Sequence, residues 1–162
     1  MSNRRRVRHI SKNSVHLKAI KDVIMTAASA PSGANQQPWT FVVVEDKHLK
    51  HQIRVAAEKE EKSFYQQRAP NDWLEKVAPL GTDWRKPFLE DAPYIIIVFK
   101  QIYGIENELR VKHYYVDESV GIAVGFLLTA IHQTGLVALP HTPCLLYTSP
   151  SPRDRGCSRM PS

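Results

Sequence analysis

Arginines crowd the start of the chain, at Arg4, Arg5, Arg6 and Arg8. Guanidinium groups bind phosphate oxygens through paired hydrogen bonds and keep their charge at any physiological pH. Because the segment comes just before a predicted helix, it could bind a phosphate-bearing ligand. A solvated basic terminus has the same composition, and the segment taken alone favours that simpler interpretation.

A second polar segment, Ala30–Trp39, reads APSGANQQPW. Pro31, Gly33 and Pro38 are strong breakers and predict an irregular turn between a helix and a strand. The turn carries polar side chains on Ser32, Asn35 and Gln36. Main-chain N–H groups in such a turn can face a planar ligand, although a turn of this kind is more often a plain connection.

Hydrophobic spacing predicts the elements that must position these segments. Apolar residues at helical intervals indicate helices, and short β-branched apolar runs indicate buried strands. The helices are predicted over Ser14–Ala28, with Ser14 as N-cap, Lys47–Gln67 and His113–Thr134, and the strands over Thr40–Glu45, Tyr94–Phe99 and Leu136–Leu139. This order predicts an α+β or α/β sandwich with an incomplete sheet.

The segment Arg68–Phe88 has no clear periodicity and contains several prolines and two tryptophans. A loop-like stretch of this length is usually a functional lid or a mobile region. One short helix packed by Trp73 and Trp84 is an equally good alternative.

Small residues recur on the last predicted helix, at Gly121, Ala123 and Gly125. They would let another helix approach closely. Spacing alone fits a tight dimer seam and packing within the chain equally well.

The composition is that of one ordinary soluble globular domain, with 162 residues, 43% hydrophobic and 23% charged. Its longest apolar stretch, Val120–Ile131, is too short to span a membrane. The histidines lack cysteine partners and recurring acidic spacing, so no metal site is expected. No aromatic–basic platform accompanies the net charge of +6, which argues against a nucleic-acid partner.

The last nineteen residues, 144–162, have a different composition, rich in Ser, Pro and Arg, and hold both cysteines. Their sequence, CLLYTSPSPRDRGCSRMPS, resembles translated sequencing-library adapters in the expected order. We therefore expect a non-native, disordered tail after a natural sequence that stops near Pro143.

The motif RRxVR, followed after one helix by APSGANxQPWxFVVV, resembles the nitroreductase family, whose members bind FMN at a dimer interface. Three later pieces resemble its iodotyrosine deiodinase branch: Glu60–Tyr65, Trp84–Lys86 before Ala92-Pro93, and His113–Tyr115. The resemblance covers residues 4–143. It implies a nitroreductase-like α+β sandwich of a mixed sheet with helices, truncated at the C-terminus, with domain 1–143 and a lid at about 68–88.

The resemblance also implies an activity. It is FMN-dependent reductive dehalogenation of mono- and diiodotyrosine to tyrosine and iodide, with NADPH as electron source and a homodimer as the intact form. Alternatives are a general FMN nitroreductase or flavin reductase, and a non-catalytic fragment that binds flavin or halotyrosine. The fragment itself is expected to be inactive. The compartment stays open, because animal relatives carry an N-terminal membrane anchor and bacterial relatives are soluble.

Carried over residue by residue, the resemblance assigns the flavin phosphate and pyrimidine edge to Arg4, Arg5 and Arg8. Ser32 and Gly33 match the flavin-contacting turn. Thr142 matches the catalytic hydroxyl that hydrogen-bonds the reactive flavin ring nitrogen. Departures from the family pattern are Arg6, in place of Ser or Thr, and Pro140 and His141, which replace two threonines.

The same resemblance assigns a substrate site. Ala34 matches the residue whose backbone faces the substrate phenolate. Glu61 and Tyr65 lie four apart and so share a helix face. Glu61 would bind the amino-acid ammonium, and Tyr65 with Lys86 the carboxylate. Spacing alone would make Glu61 and Tyr65 ordinary surface residues.

Overall fold

The computed structural model describes residues 3–5, 7, 9–81 and 83–141, apart from the side chains of Trp73, Val77, Leu80 and Glu106. The expected non-native tail, 144–162, lies outside these residues, as do Arg6, Arg8 and Thr142. The chain divides into two compact units. Residues 1–46 and 91–140 belong to the first, and residues 47–90 and 141–162 to the second.

The helices, in chain order, are α1 (Leu17–Ala28), α2 (Lys47–Ser63), α3 (Asn71–Val77), α4 (Phe88–Asp91) and α5 (Val116–Gln133). The strands are β1 (Trp39–Val44), β2 (Ile95–Lys100), β3 (Tyr103–Glu106) and β4 (Leu109–Lys112). Short 3₁₀ turns occur at Gly33–Asn35 and Ala78–Leu80, and one π-helical turn at Phe64–Arg68.

The first unit has a core where α1, α5 and a two-stranded sheet meet. β1 and β2 pair antiparallel, with Trp39 opposite Lys100 and Val44 opposite Ile95. A cluster of buried side chains comes from the two helices and consists of Val23, Ala27, Leu127 and Ile131. Phe41, Ile96 and Val98 of the sheet pack against them. The apolar spacing that predicted these elements is therefore the spacing that fills the core.

Strands β3 and β4 form a hairpin that the sequence analysis did not predict. It is closed by Asn107 and Glu108, both at positive φ (47° and 65°). Two-residue hairpin turns of this handedness normally carry Asn-Gly or Asp-Gly. The Asn-Glu pair used here is not such a dipeptide, so the usual marker of a hairpin is missing.

Two predictions on this unit are wrong. The strand predicted over Leu136–Leu139 is not formed: Leu136 and Ala138 instead pack on the helical core, and within the described part of the chain the residues from 136 to 141 join no ladder. The first helix begins at Leu17 rather than at Ser14, and its N-cap is His16, which makes no capping hydrogen bond. Apolar composition alone cannot tell a segment that packs on helices from one that pairs as a β-strand, and this explains the error at Leu136–Leu139.

The second unit is built on α2. This helix continues at Ser63 into the π-helical turn, whose five-residue hydrogen bond joins the Ala69 amide to the Phe64 carbonyl (2.8 Å). The segment predicted as a lid or a short helix contains α3, at Asn71–Val77. Turns with π-helical hydrogen bonds are rare and are often found at functional sites.

Candidate functional site

The turn after α1 has an unusual backbone. Ala34, Asn35 and Gln37 all have positive φ, at 51°, 53° and 47°. Residues other than glycine seldom adopt this conformation, which costs on the order of 1 kcal/mol or more at each position. The turn predicted from Ala30–Trp39 is therefore strained as well as irregular, and other contacts must hold it.

Hydrogen bonds from side chains hold this turn. The Ser32 hydroxyl accepts a bond from the Gln37 amide (2.9 Å), and the hydroxyl of Ser119 accepts one from the Gly33 amide (3.1 Å). Ser119 lies on α5 and is only 2% exposed. The Gln36 carboxamide accepts from the Tyr114 amide (2.8 Å) and donates to the Lys112 carbonyl (3.2 Å). The turn is thus tied both to α5 and to the end of β4.

Glycine is required at position 33 for a steric reason. A Cβ atom there would lie 2.7 Å from the backbone carbonyl oxygen of Tyr114 and 2.9 Å from the ring of Tyr115. Tyr115 is itself in the left-handed conformation, with φ 52°. A shallow groove of about 240 Å³ lies beside the turn, lined by Ser32, Gly33, Tyr115, Glu118 and Ile122 among others.

A larger groove, of about 360 Å³, has the N-terminal arginines on one side and the end of α5 on the other. Arg4 and Arg5 line it, and Arg5 donates a hydrogen bond from Nη1 to the carbonyl oxygen of Arg4 (3.0 Å). Across the groove lie His132 and Gly135, the latter at φ 78°, where the chain turns out of the helix. Two guanidinium groups beside an apolar wall suit a ligand with a phosphate and a flat, largely apolar body.

The second unit contains a buried ion pair. Nζ of Lys86 lies 3.2 Å from Oε2 of Glu61, and each side chain is 8% exposed. The Lys86 Nζ also donates to the Asp83 carbonyl oxygen (2.7 Å) and lies 6.0 Å from the centre of the Tyr65 ring. Glu61, Tyr65 and Lys86, which the resemblance grouped as a substrate site, are therefore brought together.

Further charges surround this pair. The Lys86 amide donates to Oε1 of Glu58 (2.7 Å), and the same carboxylate oxygen accepts from Nε of Arg54 (2.7 Å). His141 Nε2 lies 3.7 Å from Oε1 of Glu61. A buried ion pair loses the hydration of both charges and is weak evidence for stability. Its presence at the end of α2, beside a π-helical turn, favours a binding role.

Electrostatics near this cluster are tuned by hydrogen bonds. His51, at 2.6 Å, and Arg54 lower the pKa of the Glu90 carboxyl below its usual range, against a smaller opposing effect of burial. For Asp83, burial raises the pKa, but hydrogen bonds from Arg85 outweigh it and the net shift is downward. Both groups are therefore carboxylates at neutral pH, and the Asp83 carboxylate also interacts electrostatically with Lys86.

The described residues include neither a metal-binding group of His, Cys, Asp or Glu nor a helix long and apolar enough to cross a membrane. Of the site residues expected from the sequence, Arg4, Arg5, Ser32, Gly33 and Ala34 lie in the first unit, and Glu61, Tyr65 and Lys86 in the second. Arg8 and Thr142 fall outside the described part of the chain.

Ser119, Gln36 and Glu58 were not singled out as structural supports by the sequence analysis. Ser119 carries one local signal, because it is the hydroxyl-bearing member of the buried face of α5, whose other members are Ala123, Leu127 and Ile131. Glu58 lies three residues before Glu61, on the same side of α2. Gln36 shows no such signal, because its partners are more than seventy residues away.

Fold and sequence together define the class of protein: the chain belongs to the nitroreductase family, whose model matches residues 1–144. This confirms the predicted nitroreductase-like fold. Among curated relatives, an iodotyrosine deiodinase from Haliscomenobacter hydrossis is 58% identical over 144 residues, which cover 88% of this chain and 65% of that protein. Iodotyrosine deiodinase 1 from Homo sapiens is 44% identical, with 88% and 50% covered.

A solved structure gives the same picture. The crystal structure of an oxidized iodotyrosine deiodinase bound to FMN and 3-iodo-L-tyrosine superposes with a TM-score of 0.75 at 36% identity, over 93% of this chain and 79% of that one. The chain spans about two-thirds of the bacterial relative and half of the human one.

Proposed function

We propose that the protein is an FMN-dependent reductive dehalogenase of mono- and diiodotyrosine. The observation that carries the proposal is the buried Glu61–Lys86 pair beside Tyr65. The 58% identical relative and the structure with bound 3-iodo-L-tyrosine support it. In the overall reaction the carbon–iodine bond breaks, a carbon–hydrogen bond forms, and iodide leaves after two electrons and one proton are taken up.

The ion pair suits an amino-acid zwitterion. The substrate ammonium binds the Glu61 carboxylate, and the substrate carboxylate binds the Lys86 ammonium and the Tyr65 hydroxyl. Because both protein charges are already buried and held by neighbours, little ordering is needed on binding. Each charge-assisted hydrogen bond is worth about 1.5–3 kcal/mol. A simple nitroaromatic or a free flavin has no zwitterion and gains nothing from this arrangement.

The first unit suits FMN. Arg4 and Arg5 line a groove with an apolar wall, and the strained turn at Ser32 and Gly33 presents main-chain groups. Arg4, Arg5 and Arg8 would hold the phosphate and the pyrimidine edge, and Ser32 and Gly33 would contact the ring. Thr142 would donate a hydrogen bond to the flavin. Bound FMN supplies the electrons, received from NADPH directly or through a reductase.

Within the first unit, the Ala34 backbone would face the substrate phenolate, as the family resemblance implies. Within the second unit, the zwitterion-binding residues would hold the amino-acid end of the substrate. The segment at 68–88 would act as a lid that excludes water, which strengthens every charge-assisted contact.

The intact protein is proposed to be a homodimer through α5. A Cβ atom placed on Gly121 or Gly125 would meet nothing within 4 Å among the described atoms, so packing within this part of the chain does not require these glycines. Ile122 and Phe126 on the same helix are 42% and 40% exposed. A face that is both apolar and small can let a second copy approach closely.

The test measures tyrosine and iodide formed from 3-iodo-L-tyrosine by the FMN-loaded protein with a chemical or NADPH-linked reductant. Glu61→Gln and Lys86→Met should raise KM about tenfold or more, as expected for loss of a charge-assisted bond. Glu108→Gln, at the exposed β3–β4 turn, and Lys47→Met, at the exposed start of α2, serve as matched controls and should leave KM unchanged.

The same variants separate the proposal from a general nitroreductase or flavin reductase. Turnover of a nitroaromatic substrate should be unaffected by Glu61→Gln. If iodotyrosine turnover is equally unaffected, the site does not bind a zwitterion and the deiodinase assignment is wrong. Flavin that binds but is not reoxidised by substrate would instead indicate a binding module without catalysis.

A further inference from the structure

Two carboxylates of α2 contact opposite ends of one residue, Lys86. Oε1 of Glu58 accepts a hydrogen bond from the Lys86 amide (2.7 Å), and Oε2 of Glu61 lies 3.2 Å from the Lys86 ammonium. Residues three apart on a helix project to the same side, as Glu58 and Glu61 do. One face of α2 therefore contacts both the backbone and the side-chain end of this lysine.

The Glu58 carboxylate is itself held in place. Its Oε1 also accepts from Nε of Arg54, one turn earlier on α2, at 2.7 Å. The Glu58 side chain is 17% exposed and that of Arg54 is 30% exposed, so the pair is largely shielded from water. The oxygen that binds the Lys86 amide is thus fixed by a second, charged donor.

Arg54 also fastens the segment that carries Lys86 at a second point. Nη1 of Arg54 donates to Oε2 of Glu90 (3.2 Å), and Glu90 lies four residues after Lys86. The Lys50 ammonium donates to the Glu90 carbonyl oxygen (3.3 Å). Side chains of α2 therefore hold the segment from 86 to 90 at both ends, and Glu58 provides the attachment at Lys86 itself.

Resting on the proposed function, we propose that Glu58 is a positioning residue for substrate binding, which fixes the Lys86 backbone so that the ammonium meets the substrate carboxylate. A charge-assisted hydrogen bond is about twice as strong as a neutral one, so it restrains the Lys86 amide well. Misplacing a binding group by about 1 Å can cost about 100-fold in rate. Glu58 does not touch the substrate, and its effect passes through Lys86.

The experiment measures KM and kcat of the FMN-loaded protein for 3-iodo-L-tyrosine, well below the Tm of each variant. Glu58→Leu should raise KM about tenfold and change kcat less than about twofold, because the loss is in binding. Glu58→Gln keeps a side-chain oxygen that can accept from the Lys86 amide, so its KM should stay within about threefold of the wild type. Hydrogen exchange of the Lys86 amide should be faster in the leucine variant than in the glutamine variant.

Coupling to Lys86 distinguishes positioning from general damage to the fold. In a Lys86→Met background, Glu58→Leu should change KM by less than about twofold, because the group that Glu58 positions is gone. Asp22→Leu is the matched control: it breaks the exposed Lys18–Asp22 pair, which has the same i,i+4 spacing on α1, and should leave KM unchanged. Arg54→Met replaces Glu58→Leu if the latter fails to fold, and it should raise KM about threefold in the wild-type background only, because the Glu58 carboxylate loses the donor that orients it.

Three results would overturn the inference. They are an unchanged KM in Glu58→Leu, an equal rise in both backgrounds, and a glutamine variant as impaired as the leucine variant. Lys86→Met would still raise KM in each of these cases, so the proposed function would stand. No effect of Lys86→Met on KM, or no iodotyrosine turnover by the wild type, would instead overturn the proposed function.

Discussion

Removing one partner of the Glu61–Lys86 pair should destabilise the protein. Replacing both partners by apolar residues should not. Removing one partner of a buried pair leaves an uncompensated charge and costs about 3–5 kcal/mol, whereas replacing both by apolar residues of similar size is often neutral or stabilising by about 1–4 kcal/mol. Each side chain is 8% exposed, so these buried-pair values apply with little discount for solvent screening.

The Lys86→Met and Glu61→Leu variants and their combination form a double-mutant cycle. Lys86→Met removes the ammonium that lies 3.2 Å from Glu61 and should lower stability by about 3 kcal/mol. At roughly 2–4 °C per kcal/mol for a chain of this size, Tm should fall by about 6–12 °C. The double variant should recover most of this loss, although the Asp83 carbonyl loses its Lys86 donor.

Thermal and urea unfolding, followed by circular dichroism, measure all four proteins. The double variant should be stable yet unable to retain 3-iodo-L-tyrosine, which separates a binding role from a structural one. A single Lys86→Met variant that unfolds within about 1 kcal/mol of the wild type would refute the reasoning, because the pair would then be neither buried nor coupled. A double variant less stable than both single variants would refute it equally.

Three further outcomes are expected. Gly33→Ala should lower stability by about 1–3 kcal/mol, because its Cβ would lie 2.7 Å from the Tyr114 carbonyl oxygen and the backbone would have to move; an unchanged Tm would contradict this. Gln36→Ala should speed hydrogen exchange of the Tyr114 amide, because the amide loses its acceptor at 2.8 Å. Unchanged protection would show that the Tyr114–Gln36 hydrogen bond is not formed in solution. His51 and Arg54 lower the pKa of Glu90 in the folded protein, so Glu90 stabilises the fold above the pKa it has in the unfolded chain. This stabilisation is lost as the pH falls through the folded-state pKa. Glu90→Gln should therefore make Tm fall less steeply with decreasing pH on the acid side of the profile.

Much of the first unit could be predicted from periodicity. The apolar positions that indicated α1 and α5 are those that meet in the core, and the β-branched runs at Thr40–Glu45 and Tyr94–Phe99 became β1 and β2 within one residue at each end. The hairpin of β3 and β4 could not be predicted in this way, because its turn lacks glycine and its residues are largely exposed. The strand predicted over Leu136–Leu139 was wrong for a different reason: Leu136 is apolar because it packs against the helical core and not because it belongs to a sheet.

The candidate site was predictable only through resemblance. Nothing in local spacing distinguishes Glu61 from the other charged residues of α2, since burial is decided by Lys86, twenty-five positions further along the chain. Glu61 and His141 lie 3.7 Å apart but are separated by eighty positions in the sequence. The sequence analysis noted His141 only as a departure from the family pattern. Long-range pairs of this kind depend on the folded path of the chain, which periodicity does not encode.

The position of Lys86 explains why the ion pair exists before any substrate arrives. Its amide is held by Glu58, its ammonium by the Asp83 carbonyl oxygen and Glu61, and Glu58 is held in turn by Arg54. A flexible lysine recruited from solvent would lose about 2 kcal/mol of rotamer entropy on binding a carboxylate. Because that freedom is already lost in the folded protein, the proposed zwitterion site would offer charges that are fixed in place, and this would favour amino acids over neutral phenols.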